Sequence, residues 1–263
     1  MLSTTNRRLL VEERRRRILQ LIEDRGRVTV HELVGQFGVT TVTARGDLDA
    51  LAKLGSLQRS HGGAVRLLGP APDFPVRFKE ALHHAEKAAI GRAAARLVRP
   101  NQTVILDSGT TTRLVARQLK EARPGPFTII TNSLDISMDL AEVPFVSVIM
   151  VGGLMREVSR SFVGPQADLM MRQIHADHLF LGVDGISLEA GPSTPDILEA
   201  QLNALMVAAA DEVTVVSDAS KFGRRSLSVI CPMRSVHRVI TDASIAPATV
   251  QELERMGIEV VIA

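Results

Sequence analysis

The chain has 263 residues, of which 45% are hydrophobic and 23% charged, with a formal net charge of +2; this is an ordinary globular balance and enough length for two domains, each with its own core. No apolar run approaches the ~20 residues of a membrane helix, and the single cysteine excludes an internal disulfide, a zinc ribbon and a CxxC redox pair. Residues 1–66 carry 12 Lys and Arg against 7 Asp and Glu, whereas residues 67–263 carry 19 against 22, so a basic head suited to a polyanion precedes a body that is not.

Arginines at 7, 8 and 14–17 lack the apolar stretch that a secretory signal needs behind them, and a cytoplasmic location is expected. Helix periodicity then appears in Val11, Ile18, Leu19, Leu21 and Ile22, predicting a first helix from Val11 to Asp24 that Gly26 stops. Val28 to Val30 reads as a short extended link. A second short helix follows from Glu32 to Phe37, closed by Gly38, and Thr40 is placed as the N-cap of a third helix whose inward stripe is Ala44, Leu48, Leu51 and Leu54, with Gly55 as its stop. Leu57–Arg59 and Ala64–Leu67 read as two strands around Ser60-His61-Gly62-Gly63, a glycine hairpin of the kind that forms a wing. Three helices and a hairpin in this order predict a winged helix-turn-helix over residues 1–67.

Residues 68–75 hold three prolines and a glycine and are predicted to be a short, stiff linker. From residue 76 to 263 strands and helices alternate. Strands are expected at 103–106, 128–130, 146–151, 178–181, 213–216, 236–240 and 259–262, with helices at 85–97, 112–119, 134–140, 166–174, 197–209 and 247–256. That pattern predicts an α/β domain with a mainly parallel sheet covered on both faces. The apolar run Val143–Val151 is expected to be a buried strand, and Cys231 a small buried hydrophobe.

Two groups of residues carry chemistry. In a helix-turn-helix the second helix enters the major groove, so Thr41, Thr43 and Arg45 are candidates for base or phosphate contact, together with Thr40 and Gly46 at the same helix start. The competing reading of Arg45 is an i,i+4 ion pair with Asp49. In the wing, Arg59, Ser60, His61, Gly62 and Gly63 offer charge and close backbone approach to a phosphate. In the second domain a strand runs into Asp107-Ser108-Gly109-Thr110-Thr111-Thr112 and then a helix. A small, hydroxyl-rich turn at a helix N-terminus suits a phosphate monoester, against the alternative of a plain strand-to-helix turn. Thr131, Asn132, Gly152, Gly153, Arg156, Ser161, Asp184, Glu199 and Lys221 are further candidates. Many sit at strand ends, where open parallel sheets bind ligands. Lys221 suits a phosphate, Asp184 sugar hydroxyls and Arg156 either. No metal site or cofactor is expected.

The runs Val30-His31-Glu32-Leu33, Phe37-Gly38-Val39-Thr40, Thr43-Ala44-Arg45-Gly46-Asp47-Leu48 and Arg59-Ser60-His61-Gly62-Gly63-Ala64 resemble the DeoR family of transcription regulators. In the second domain the resemblance rests on 107–112, Thr131-Asn132, Gly152-Gly153, Ser161-Phe162-Val163-Gly164-Pro165, Gly182-Val183-Asp184-Gly185 and 217–222. It implies a sensor fold akin to ribose-5-phosphate isomerase and glucosamine-6-phosphate deaminase, binding of a phosphorylated sugar, operator DNA as partner, homo-oligomers and, in most members, repression. Gly46 and Asn203 depart from the common pattern. Both departures look like the subgroup controlling N-acetylgalactosamine and tagatose pathways, which implies an amino-sugar or ketohexose phosphate as effector. The rival class is an isomerase or deaminase fused to a DNA-binding head, with Asp184 and Glu199 as carboxylates. Glu189-Ala190-Gly191-Pro192-Ser193-Thr194 lacks the lysine and glycine-rich loop such enzymes carry, so binding without turnover is expected. A second domain that only oligomerises is disfavoured by the 107–112 loop.

Overall fold

The computed structural model describes residues 10–53, 56–65 and 73–263. The head comprises α1 (Val11–Arg25), β1 (Arg27–Thr29), α2 (Val30–Phe37), α3 (Thr41–Lys53), β2 (Gln58–Ser60), β3 (Gly63–Val65) and the short α4 (Val76–Lys79). Gly26 ends α1 in the left-handed region, at φ 76°, with its N–H on the Ile22 carbonyl. The second helix opens earlier than expected. Thr29 and Glu32 form a capping box, Thr29 N–H to Glu32 Oε2 at 2.6 Å and Glu32 N–H to Thr29 Oγ1 at 3.2 Å, which draws Val30 out of the extended link and into α2. Thr40 caps α3 as expected, its Oγ1 accepting from Thr43 N–H at 3.1 Å. Ile18, Leu19, Ile22, Leu33, Phe37, Ala44, Leu48 and Leu51 close the core beneath the three-stranded antiparallel sheet β1-β3-β2. The stop expected at Leu54–Gly55, the strand residues Arg66 and Leu67, linker residues 68–72 and Arg7 and Arg8 lie outside the described residues.

Phe78 and Leu82 join this same core. The first compact unit therefore closes at Leu82 and the second opens at His83, beyond the boundary expected at residue 76.

The second unit contains α5 (His84–Ala95), β4 (Thr103–Leu106), α6 (Thr110–Ala122), β5 (Phe127–Thr131), α7 (Leu134–Leu140), β6 (Val146–Met150), β7 (Leu154–Arg156), β8 (Ser161–Val163) and α8 (Pro165–Met171). It continues with β9 (Ala176–Leu181), β10 (Gly185–Ser187), β11 (Gly191–Thr194), α9 (Ile197–Ala209), β12 (Ala210–Val216), β13 (Ser228–Val229), β14 (Arg238–Thr241), α10 (Pro247–Arg255) and β15 (Glu259–Ile262). Seven parallel strands run in the order β15-β14-β12-β9-β4-β5-β6. Successive strand residues serve opposite faces. Val104 and Leu106 of β4, with Phe180 of β9, pack under α5, α6 and α7, whereas Ile105, Leu179 and Leu181 pack under α8, α9 and α10.

Two features differ from the sequence reading. The run Val143–Val151 is not a buried strand: β6 is the sheet edge, with one strand neighbour, and Ile149 is 38% exposed. Two small antiparallel arrangements, β7-β8 and β10-β11-β13, stand where loops were expected.

His178 of β9 is buried in the sheet, its Nε2 2.8 Å from Thr214 Oγ1 on β12 and its ring stacked on Phe180 at 4.2 Å between centroids. Burial pushes its pKa down to about 4 from an ordinary 6.5. The folded chain holds this imidazole neutral, so its contribution to stability is intact above pH 6.5 and is lost as pH falls from 6.5 through 4, by up to about 3 kcal/mol. Urea unfolding of the second unit is expected to show a midpoint falling across that window. A His178→Gln variant, which keeps a polar group opposite Thr214, is expected to show a shallower fall, and equal slopes for the two proteins would refute the assignment.

Candidate functional site

In the head, α2 and α3 form the helix-turn-helix and β2-β3 the wing. The start of α3 is exposed at Thr40, Thr41, Arg45 and Gly46, with Thr43 half-buried, while Ala44, Asp47, Leu48 and Leu51 face the core. Arg45 makes no side-chain hydrogen bond or ion pair among the described residues. The expected alternative, pairing with Asp49, does not form, because Asp49 accepts instead from Arg59 of β2, Nε to Oδ1 at 2.8 Å. Arg59 also donates through Nη1 to the Gly63 carbonyl. Ser60, His61 and Gly62 are exposed at the wing tip, and Gly62 turns the hairpin at φ 81°. Gly63 is buried and structural: a β-carbon there would lie 2.1 Å from the Val28 carbonyl oxygen. The orientation of α3 is fixed from behind by Asp47, which is buried and accepts from Arg14 Nε at 2.5 Å and Arg15 Nε at 2.9 Å, both on α1.

In the second unit the chain leaves β4 toward β5 and β6, then returns to β9 on the other side of β4. The turns after β4 and β9 therefore flank the switch point of the sheet. Asp107 is buried there. Its Oδ1 accepts from Gly109 N–H at 3.1 Å and lies 2.7 Å from Thr112 Oγ1. Burial pushes the Asp107 carboxyl up to about 7, against hydrogen bonds from Thr112, Gly109 and Gly182 that favour its charged form, and the nearby Glu199 adds to the rise. Gly109 and Gly182 let the two turns meet: a β-carbon on Gly109 would lie 3.3 Å from the Gly182 Cα.

Thr112 points inward and Thr111 is buried, which leaves Ser108, Gly109 and Thr110 half-exposed at the mouth of α6. The first amides of an α-helix have no intrahelical acceptor and carry its positive dipole end. A buried lysine reinforces that charge. Lys87 of α5 is 3% exposed and places Nζ 3.2 Å from Thr110 Oγ1. Lys221 follows β12. Burial raises the Asp218 pKa, but Lys221, Lys87, His83 and a Ser220 hydrogen bond outweigh it and hold the carboxyl below its ordinary value. Lys221, Lys87 and His83 thus act on one buried carboxylate, and Lys87 also reaches the first turn of α6.

A second cluster gathers Arg156, Ser161, Asp184 and Glu199. Glu199 Oε1 lies 2.7 Å from Arg156 Nη1 and accepts from Ser161 Oγ at 2.9 Å. Thr194 Oγ1 lies 3.3 Å from Glu199 Oε2 and 3.4 Å from Asp184 Oδ2, and Arg156 Nε is 3.3 Å from Asp196 Oδ2. Both Glu199 oxygens therefore have partners within the cluster. Asp107 links the two clusters through its electrostatic coupling to Glu199.

The remaining candidates hold the walls. Thr131 and Asn132 are fully buried, Thr131 Oγ1 accepting from Ser133 N–H at 3.1 Å and Asn132 Nδ2 donating to the Phe162 carbonyl at 3.0 Å. Gly153 permits the approach of β8, since a β-carbon would lie 2.5 Å from the Val163 carbonyl oxygen, and Gly152 is exposed. Sequence reading missed Lys87, Thr194, Asp196 and the enclosing role of Gly182. Lys87 left a signal: with Ile90, Gly91 and Ala94 it falls on the inward stripe of α5, where a lysine needs a reason. Among the described residues no group of three His, Cys, Asp or Glu is placed to hold a metal ion, and no helix is long and apolar enough to cross a membrane.

Comparison with known proteins places both units. Residues 14–67 match the DeoR-like helix-turn-helix domain and residues 82–243 the DeoR C terminal sensor domain. A putative aga operon transcriptional repressor of Escherichia coli is 39% identical over 95% of this chain and 93% of its own length. The transcriptional regulator GlpR of Haloferax volcanii is 35% identical over 96% and 98%. Ribose 5-phosphate isomerase A from Neisseria gonorrhoeae aligns with 53% of this chain and 53% of its own, at 12% identity and a TM-score of 0.39. With a helix-turn-helix head and a sensor domain both matched, the chain belongs to the DeoR family.

Proposed function

We propose that this protein is a DNA-binding transcription regulator, a repressor of a sugar-catabolism operon, whose grip on operator DNA changes when a phosphorylated sugar binds in the crevice at the β4–β9 switch point. The observation that carries the reading is the mouth of α6, where Ser108, Gly109 and Thr110 meet Lys87, which with Lys221 acts on Asp218, in a chain whose head offers an exposed Arg45 with no side-chain partner among the described residues. A phosphate monoester satisfies the α6 amides and the lysine charges together. The carboxylate of Asp184 suits sugar hydroxyls, above a floor set by the buried Asp107. Operator DNA meets Thr40, Thr41, Thr43, Arg45 and the wing tip at Ser60, His61 and Gly62. The 39% identical relative named as a putative aga operon transcriptional repressor supports repression, and the effector in this reading is an amino-sugar or ketohexose phosphate. The regulator works in the cytoplasm as a homo-oligomer, whose paired heads read repeated half-sites. Effector shifts the equilibrium between DNA-competent and DNA-incompetent arrangements by its differential affinity for them. The match of both units to a DNA-binding domain and a sensor domain disfavours the enzyme reading.

Gel shift on DNA upstream of the protein's own gene, at fixed salt, with a panel of sugar phosphates and their unphosphorylated forms, tests both halves. One phosphorylated sugar is expected to weaken the complex while its unphosphorylated form has no effect; no DNA binding under any condition would overturn the reading. Arg45→Ala is expected to lower operator affinity about 10- to 100-fold, the equivalent of one lost base contact. Lys87→Met is expected to leave operator binding intact and to weaken effector binding by about 10- to 100-fold, one charge-assisted hydrogen bond, as read by calorimetry.

A further inference from the structure

Two arginines face the same side of the head in different electrostatic states. Arg45 on α3 is exposed and has no side-chain partner among the described residues, whereas Arg59 on β2 is held at both ends, Nε by Asp49 and Nη1 by the Gly63 carbonyl. Asp49 lies one turn beyond Arg45 on the same helix, and its side chain is 57% exposed. An ion pair so open to water contributes little to stability. The Gly63 hydrogen bond and the β2–β3 ladder already close the hairpin without it. What the pair does change is charge: it cancels the one wing arginine among the described residues that adjoins the recognition helix.

Sequence-independent affinity for duplex DNA rises with the number of phosphates that lysine and arginine neutralise, whereas base contacts supply discrimination. We propose that Asp49 is a specificity-determining residue: by occupying Arg59 it withholds that charge from the phosphate backbone and leaves Arg45 to dominate recognition. The proposal rests on the reading of the head as a DNA-binding module.

The test uses the full-length protein and two duplexes, one of mixed sequence and one carrying the region upstream of the protein's own gene, each titrated from about 50 to 200 mM salt. Asp49→Ala is expected to bind the mixed-sequence duplex several-fold more tightly than wild type. Its affinity is expected to fall over that salt range by about threefold more, the increment for one extra phosphate contact. Affinity for the upstream region rises less, so the ratio of specific to non-specific binding drops. Arg59→Ala removes the same pair but leaves the Asp49 carboxylate unneutralised, so it is expected to bind mixed sequence no more tightly than wild type does. The double variant Asp49→Ala with Arg59→Ala carries the same net charge as the wild-type pair and is expected to bind mixed sequence as wild type does. Unchanged or weaker mixed-sequence binding by Asp49→Ala overturns the proposal. A gain that survives in the double variant also overturns it, since Asp49 would then act by repelling phosphates directly. Failure of the underlying reading is distinct: wild type itself would bind neither duplex.

Discussion

Asp107 is a carboxyl group kept out of water at the one place where the sheet reverses its strand order. Its oxygens collect the Gly109 and Gly182 amides and the Thr112 hydroxyl, so the turn after β4 and the turn after β9 are closed around the same atoms. Removing water from a carboxylate is costly, and hydrogen bonds from both turns offset that cost. The result is a floor from which α6 rises with its first amides outward. Because burial and the hydrogen bonds pull in opposite directions, the carboxyl sits near pH 7. The anchor of the crevice therefore changes charge within the ordinary range, and an anion arriving at α6 meets a floor that is part acid, part carboxylate.

A similar logic orders the head. Asp47 is buried on α3 and held by Arg14 and Arg15 of α1. A buried ion pair is weak evidence for stability, but its partners have fixed directions, and a helix held this way has one rotational setting. The apolar stripe of Ala44, Leu48 and Leu51 would tolerate small rotations; three charges do not. Arg45 and Thr41 owe their outward aim to that clamp as much as to helical periodicity.

Much of the fold is legible in the sequence where the signals are local. Gly26, Gly38 and Thr40 mark helix ends within one turn of themselves, and the apolar runs of β4, β5, β9 and β12 mark strands buried on both faces. Non-local pairing left no such trace. Gly191-Pro192-Ser193-Thr194 has the composition of a loop and becomes β11 because Gly185–Ser187 and Ser228–Val229 lie alongside it. The site divides the same way. The strand-end turn Asp107–Thr110 is contiguous and readable. Whether a hydroxyl at a helix start faces ligand or floor depends on neighbours far along the chain, so Thr112, Thr131 and Asn132 read as ligand contacts although their polar atoms are turned inward. Arg59 looked like a second DNA arginine for the same reason, its partner Asp49 being on another element.

The start of α5 has a consequence for where charge can go. His83 turns the backbone through the left-handed region at φ 52°, the Lys87 backbone N–H bonds to the His83 carbonyl at 2.9 Å, and the Lys87 ammonium group lies out of water beside Thr110. A lysine in water sweeps its charge through many rotamers, whereas this one is confined by the helix beneath it and the side chains around it. An anion drawn to it is therefore placed as well as attracted.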